Sequence, residues 1–383
     1  MIHEPRRPPG PQHRPDPRPP PARGRRQPGR AGRGHRAHPA GGQQDHRPAA
    51  GGGAARGGRA GAAGGGAGRA TGAGRATGAG RATGAGRATG GKPRTLLRLR
   101  PEAGHAIGVG LDTGEISAVL VDLAGRVAER RTAAFDPAAG PDSGVASIAA
   151  LVAELAAAVP RDRLLGVGVG ARGPLDHSAG VLHHPTGWPD AWRGLPLRDA
   201  LAAALGGPLG AVPVSVDKDT NAAALGEPAG PDESLAYLHL GRGLGAGLVL
   251  DGALYRGPHT NAGEFGHQTV QLDGPLCACG NRGCLEALAL AAPDEAGAAR
   301  MVGIGAANLV RLLDLDRIVL GGSRVLSAPA LYAAAAEAHL RALGPVSVTV
   351  TPHGPTAVPR GAAELILAPL FAGAQFPPPR ARA

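Results

Sequence analysis

From His105 onward the chain predicts an α/β fold, on two observations. Apolar runs of strand length alternate with longer stretches of helical periodicity, and turn residues punctuate the two kinds. Ala106 to Val109 and Ser117 to Val121 are short apolar runs divided by Asp112-Thr113-Gly114-Glu115, which is consistent with a hairpin. Ile148 to Val159 reads as a helix and Leu164 to Val169 as a buried strand. Leu195-Pro196-Leu197-Arg198-Asp199-Ala200-Leu201 opens a second helix, and Pro213 to Val216 is the strand that delivers Asp219. Gly305 to Leu313 is a helical stretch ahead of the strand Ile318 to Leu320, which ends in Gly321-Gly322.

Composition separates this body from what precedes it. Residues 1–100 carry 21 Arg and Lys against 3 Asp and Glu, whereas the remainder carries 20 against 27. The high overall pI therefore belongs to the N-terminal tract, and nucleic-acid binding cannot be inferred from total charge. Residues 1–91 consist mostly of Pro, Gly, Arg and Ala, with too few large apolar side chains to offset the entropy of ordering, so a disordered low-complexity tract is expected. Four copies of Gly-Ala-Gly-Arg-Ala-Thr begin at Gly66, Gly72, Gly78 and Gly84, a repeat too short and too polar to stack as a solenoid. No apolar run approaches the roughly 20 residues of a membrane span, so no membrane partner is expected.

The three cysteines of the chain fall within eight residues, as Cys277-x-Cys279-x4-Cys284, ten residues after His267. Zinc takes four nitrogen or sulfur ligands in a closed tetrahedron, and one imidazole with three thiolates supplies them. Gly280 and Gly283 let the loop turn tightly enough to gather the sulfurs. The alternatives are three buried free thiols, or one disulfide with a spare. A Cys-x-Cys pair is too close for an easy disulfide, and reduced cysteines fit a cytoplasmic location, so the spacing favours a zinc site of His267, Cys277, Cys279 and Cys284.

The segment around these ligands carries a resemblance. Leu238-His239-Leu240-Gly241-Arg242-Gly243-Leu244-Gly245, then Gly263-Glu264-Phe265-Gly266-His267, then Cys277-Ala278-Cys279-Gly280-Asn281-Arg282-Gly283-Cys284-Leu285-Glu286, resembles the ROK family of bacterial sugar kinases and sugar-responsive repressors. The likeness runs from about Gly91 to the C-terminus and includes Val216-Asp217-Lys218-Asp219-Thr220-Asn221 and Ile318-Val319-Leu320-Gly321-Gly322. It implies a two-lobed, actin-like (ribonuclease-H-like) fold, with residues 92–222 as the first lobe, residues 223–383 as the second, and a C-terminal helix returning to the first. A sugar or sugar phosphate would lie between the lobes. The resemblance also implies a homo-oligomer.

Family repressors carry a winged helix-turn-helix ahead of a Gly-Gly-Arg-Pro-like junction, which Gly90-Gly91-Lys92-Pro93 resembles. No such reader is legible upstream. Back-translating Gln27 to Arg47 and shifting the frame by one base permits a sequence similar to that helix-turn-helix, so this stretch reads as an out-of-frame remnant. Operator DNA is then a partner only where an intact reader is present.

By resemblance, Asp219 matches the carboxylate that takes the proton from the sugar hydroxyl in the kinases, while Glu264, His267 and Glu286 match the sugar-binding set. Trp188 and Trp192 could stack on a sugar face, but the reading leans toward packing. The nucleotide side departs from the kinases. Their first phosphate turn, Asp-x-Gly-Gly-Thr-Lys, aligns with Gly110-Leu111-Asp112-Thr113-Gly114-Glu115, placing two acids beside a polyphosphate. Their Gly-Thr-Gly turn is Gly241-Arg242-Gly243, where a cation could still attract phosphate. Lys218 replaces an Asn beside Asp219 and is expected to lower that carboxyl's basicity. Arg172 replaces a proline, and the stretch between Glu286 and Ala306 is shortened. Gly241, Gly243, Gly245, Gly321 and Gly322 would form what remains of the nucleotide site. The expectation is the sugar-sensing body of a transcriptional regulator. The alternative is an ATP- and magnesium-dependent hexose kinase with Asp219 as general base.

Overall fold

The computed structural model describes residues 98–371. The expectations for residues 1–97 (the disordered tract, the junction up to Leu97 and the displaced reader) lie outside the described residues.

Strands β1 (His105–Asp112) and β2 (Gly114–Asp122) form the expected hairpin, closed where Asp112 pairs with Glu115. Its turn needs Gly114, whose φ of 99° strains any residue bearing a Cβ. β3 (Val127–Phe135) continues the antiparallel ribbon, and α1 (Pro141–Ala156) follows. The apolar period betrays α1 only from Ile148, because its first turn is built of Pro141, Asp142 and Ser143, which start helices without entering a core. β4 (Leu164–Ala171) runs parallel to β1, and after the short hairpin β5 (Leu175–Asp176) and β6 (Val181–Leu182) comes α2 (Leu197–Leu209). β7 (Val214–Lys218) is parallel to β4 and hands the chain directly to α3 (Asp219–Gly226). The sheet order is β3-β2-β1-β4-β7.

The same plan repeats. β8 (Leu235–Leu240), β9 (Leu244–Leu250) and β10 (Ala253–Tyr255) form a second antiparallel ribbon. A long loop, α4 (Leu285–Leu290) and α5 (Glu295–Leu313) then lead to β11 (Arg317–Gly321), which lies parallel to β8. Asp294 caps α5 by accepting a hydrogen bond from the Gly297 amide at 2.7 Å, so the short connection after Glu286 still launches a full helix. α6 (Ser323–Ser327), α7 (Pro329–Leu340), β12 (Ser347–Val350) and α8 (Ala357–Phe371) complete the described chain, and the second sheet has the order β10-β9-β8-β11-β12. The turn between β8 and β9 thus occupies in the second sheet the place of the β1–β2 turn in the first.

α8 crosses back to pack on β1, β4 and α3. It can do so because a Cβ on Gly108 or Gly168 would strike the α8 carbonyls of Pro359 and Ala362. On the opposite face of that sheet, Trp188, Trp192 and Phe135 form an edge-to-face cluster with centroids 4.7–5.7 Å apart. Both indoles are buried, so they pack, as the sequence reading favoured. Among the described residues no helix is long and apolar enough to cross a membrane.

Candidate functional site

The loop between β10 and α4 gathers the four predicted metal ligands. One turn of 3-10 helix at Phe265–His267 presents the imidazole, and the Cys277 amide donates to the Asn281 carbonyl at 2.7 Å to close the cysteine turn. Gly283, at φ 65°, presses on the Gln271 carbonyl where no Cβ could fit. Cys277 Sγ lies 3.6 Å from His267 Nδ1, Cys279 Sγ lies 3.6 Å from Cys284 Sγ, and all four donor atoms fall within 4.8 Å of one another. Bonds of about 2.0–2.3 Å to a tetrahedral ion put donor atoms roughly 3.6–3.8 Å apart, so the set fits a metal. A disulfide needs about 2.05 Å. Burial pushes the Cys284 thiol up to about 12, whereas the Asn281 amide lowers Cys279.

His267 turns its other ring nitrogen, Nε2, toward Glu264 at 4.0 Å and into a cavity also lined by Lys218, Asp219, Glu264 and Glu286. The structure therefore brings together every residue assigned to sugar by resemblance. Glu286 Oε2 accepts from the Leu244 amide at 2.7 Å, which fixes the carboxylate beside the β8–β9 turn. Asp219 begins α3, and its carboxyl is raised chiefly by burial, against the opposing charges of His239 and Arg172.

Lys218 corrects the sequence expectation. Its ammonium does not act on Asp219 but turns away, to Glu264 Oε1 at 2.9 Å and the Ala262 carbonyl at 2.7 Å. Burial raises Asp219 where a fall was expected.

Behind Lys218, buried Asp217 accepts from Arg256 Nε at 2.6 Å, Asn221 Nδ2 at 2.8 Å and the Lys218 amide at 2.8 Å. This knot fixes the β7–α3 junction. Sequence reasoning missed Asp217, Arg256 and His239 as site-building residues; only the position of Asp217 within the quoted motif could have flagged it.

A second cavity opens on the other side of Asp219 and His239. Asp112, Glu115, Ser117, Gly322 and Ser323 line it, with no lysine or arginine among its lining residues. The expected nucleotide glycines are divided between the two adjoining cavities. Gly322 lines this second cavity, whereas Gly243 and Gly245 line the first. A Cβ on Gly321 would strike the Tyr237 hydroxyl, so its smallness serves packing. Gly241 sits against His239 and Ser323. The two acids of this second cavity are paired from outside its lining, Asp112 with Arg172 at 3.2 Å and Glu115 with Arg130 at 3.8 Å.

Two repeated α/β lobes with a cleft between them define the actin-like ATPase fold. Residues 104–293 match the ROK family, and the chain belongs to it. The ROK hexokinase of Thermus thermophilus is 30% identical, with 70% of this chain and 99% of that one covered and a TM-score of 0.56. The xylose repressor of Caldicellulosiruptor bescii is 32% identical over 203 residues, 51% of this chain and 49% of that one. The glucokinase of Thermotoga maritima is 34% identical over 190 residues, 48% and 57% respectively. The chain spans about half the length of the curated relatives it matches.

Proposed function

We propose that this chain is the effector-sensing body of a carbohydrate-responsive regulator, with a structural zinc and a nucleotide site that no longer works. One observation carries the reading: the two cavities that meet at Asp219 differ in kind. The first keeps Asp219, Glu264, His267 and Glu286 around one space, while the second has Asp112 and Glu115 in its lining and no lysine or arginine among its lining residues.

Carboxylates suit sugar because each accepts two or more hydroxyl hydrogen bonds, and a missing partner in a closed cleft costs about 1–3 kcal/mol. Zinc on Nδ1 of His267 would leave Nε2 as a fixed donor toward the ligand. The metal would supply rigidity to the loop, and all contact with sugar would come from side chains. Glu264, drawn between Lys218 and His267, connects the β7–α3 junction to that loop, so a sugar that recruits Glu264 would be felt on both lobes. Operator DNA would be a partner only of a form bearing an intact helix-turn-helix. The reading also places the protein in the cytoplasm, as a homo-oligomer.

A second reading, an ATP-dependent hexose kinase, is favoured by one feature. A carboxyl raised by burial at the cavity floor, as Asp219 is, suits a general base. Measuring ADP release with a hexose and pentose panel separates the two. The regulator reading expects no sugar-dependent release above buffer, and release that vanishes in Asp219→Asn would establish the kinase.

A further inference from the structure

The sugar cavity carries two guanidinium groups that neither metal nor sugar hydroxyls use. Arg172, which follows β4, reaches the β1–β2 turn, with Nη2 3.2 Å from Asp112 Oδ1 and Nη1 3.4 Å from the Thr186 carbonyl. Arg242, at the tip of the β8–β9 turn, reaches the same turn from the other lobe, where its Nη2 is the atom that a Cβ on Gly114 would meet at 3.9 Å. Both line the cavity that holds Asp219, Glu264 and Glu286. Lys218, the third cation there, is committed to Glu264, whereas Arg242 has no ion-pair partner among the described residues. Lys218 and His267 flank Glu264, whereas Arg172 and Arg242 flank the β1–β2 turn, with Glu286 held at the Leu244 amide two residues from Arg242.

Resting on the regulator reading above, we infer that the effector is a sugar phosphate monoester, its ring hydroxyls on Glu264 and Glu286 and its phosphate held between Arg172 and Arg242. A phosphate monoester carries nearly two negative charges and three strong acceptor oxygens, and the planar arginine fork binds such groups in a bidentate manner. Asp112 does not block the arrangement. Its pair with Arg172 is about half exposed on the acid's side, and a screened surface pair yields to a dianion that can bridge two guanidinium groups. The acid-walled second cavity has nothing to offer a longer polyphosphate, which confines the anion to the arginine end.

The full-length protein, zinc-loaded, tests this by calorimetric titration with glucose, mannose, fructose and ribose, each against its terminal phosphate monoester, and with inorganic phosphate alone. At least one ester should bind ten times or more tighter than its parent sugar, with the ratio shrinking as salt rises. Inorganic phosphate should bind at least a hundredfold more weakly than that ester. In Arg242→Thr, and separately in Arg172→Gln, the ester-to-sugar ratio should fall to about threefold or less. Because Arg242 is exposed, its substitution leaves the fold intact. Parent sugars binding as well as their esters would overturn the inference and leave the sugar-sensor reading standing. An ester preference that survives in both variants, or inorganic phosphate binding as tightly as the ester, would overturn it in the same way. Failure of every sugar and every ester to bind would sink both.

Discussion

The two cavities that share Asp219 and His239 differ in the provenance of their walls. The first is built by a loop tied down at many points: the clustered donor atoms of His267, Cys277, Cys279 and Cys284, an ion pair from Lys218 to Glu264, and a carboxylate held by the Leu244 amide. The second is built from the β1–β2 turn, the glycine step after β11 and the approach to α8, and Asp112 and Glu115 stand in its lining with no lysine or arginine. On the proposed reading one fold keeps a ligand site while abandoning its neighbour, because the Lys218–Glu264 pair and the Glu286–Leu244 bond of the first are made away from the second.

Removing the metal should give the largest effect. Structural zinc contributes on the order of 10 kcal/mol in small zinc modules, so Cys277→Ser should abolish zinc retention and lower sugar affinity by a hundredfold or more. Melting and metal analysis of the variant check this; the first lobe, whose core is separate, should keep its own unfolding transition.

A smaller break lies at Lys218, whose stem is buried and whose ammonium joins Glu264 to the Ala262 carbonyl. Lys218→Met should cost about 1–3 kcal/mol by leaving the Ala262 carbonyl unpaired, and should weaken sugar binding about tenfold as Glu264 loses its anchor. Denaturant titration and calorimetry read the two effects separately.

The smallest effect falls near the second cavity, at His353, beside Gly354 and Pro355 of its lining. Burial, aided by the charge of Arg360, lowers its pKa below 6.5, and its Nε2 is buried without a partner. Since the folded value is depressed, the contribution of this group is fully present above 6.5 and is lost as pH falls through the folded value. Stability should therefore decline on acidification from pH 7 toward 5, and His353→Gln should flatten part of that slope without altering sugar affinity at pH 7.

These contrasts also mark what sequence could tell. The hairpin at Asp112–Glu115 and the strands β4, β7 and β11 were legible because apolar runs of strand length are intrinsic to their own segments. The cluster of His267, Cys277, Cys279 and Cys284 was legible for a similar reason, its members lying within one loop. Lys218 was misread because its partner, Glu264, is 46 residues away, and adjacency to Asp219 in the chain says nothing about where a long side chain turns. The motif does not say how its glycines divide: Gly243 and Gly245 line the first cavity and Gly322 the second, while Gly321 lies against Tyr237, a contact only the folded sheet creates. Arg256 was illegible too, as its role exists only through buried Asp217.

The central claim is that sugar recognition has outlived nucleotide recognition, and calorimetric titration of the zinc-loaded protein with the sugar and sugar-phosphate panel, with and without magnesium–ATP, tests it most directly. The account predicts that one ligand binds to full occupancy in the absence of nucleotide, that ATP alone gives no heat of binding, and that adding ATP leaves the sugar affinity unchanged within about twofold. ATP binding on its own, or sugar binding that appears only when ATP is present, would contradict it.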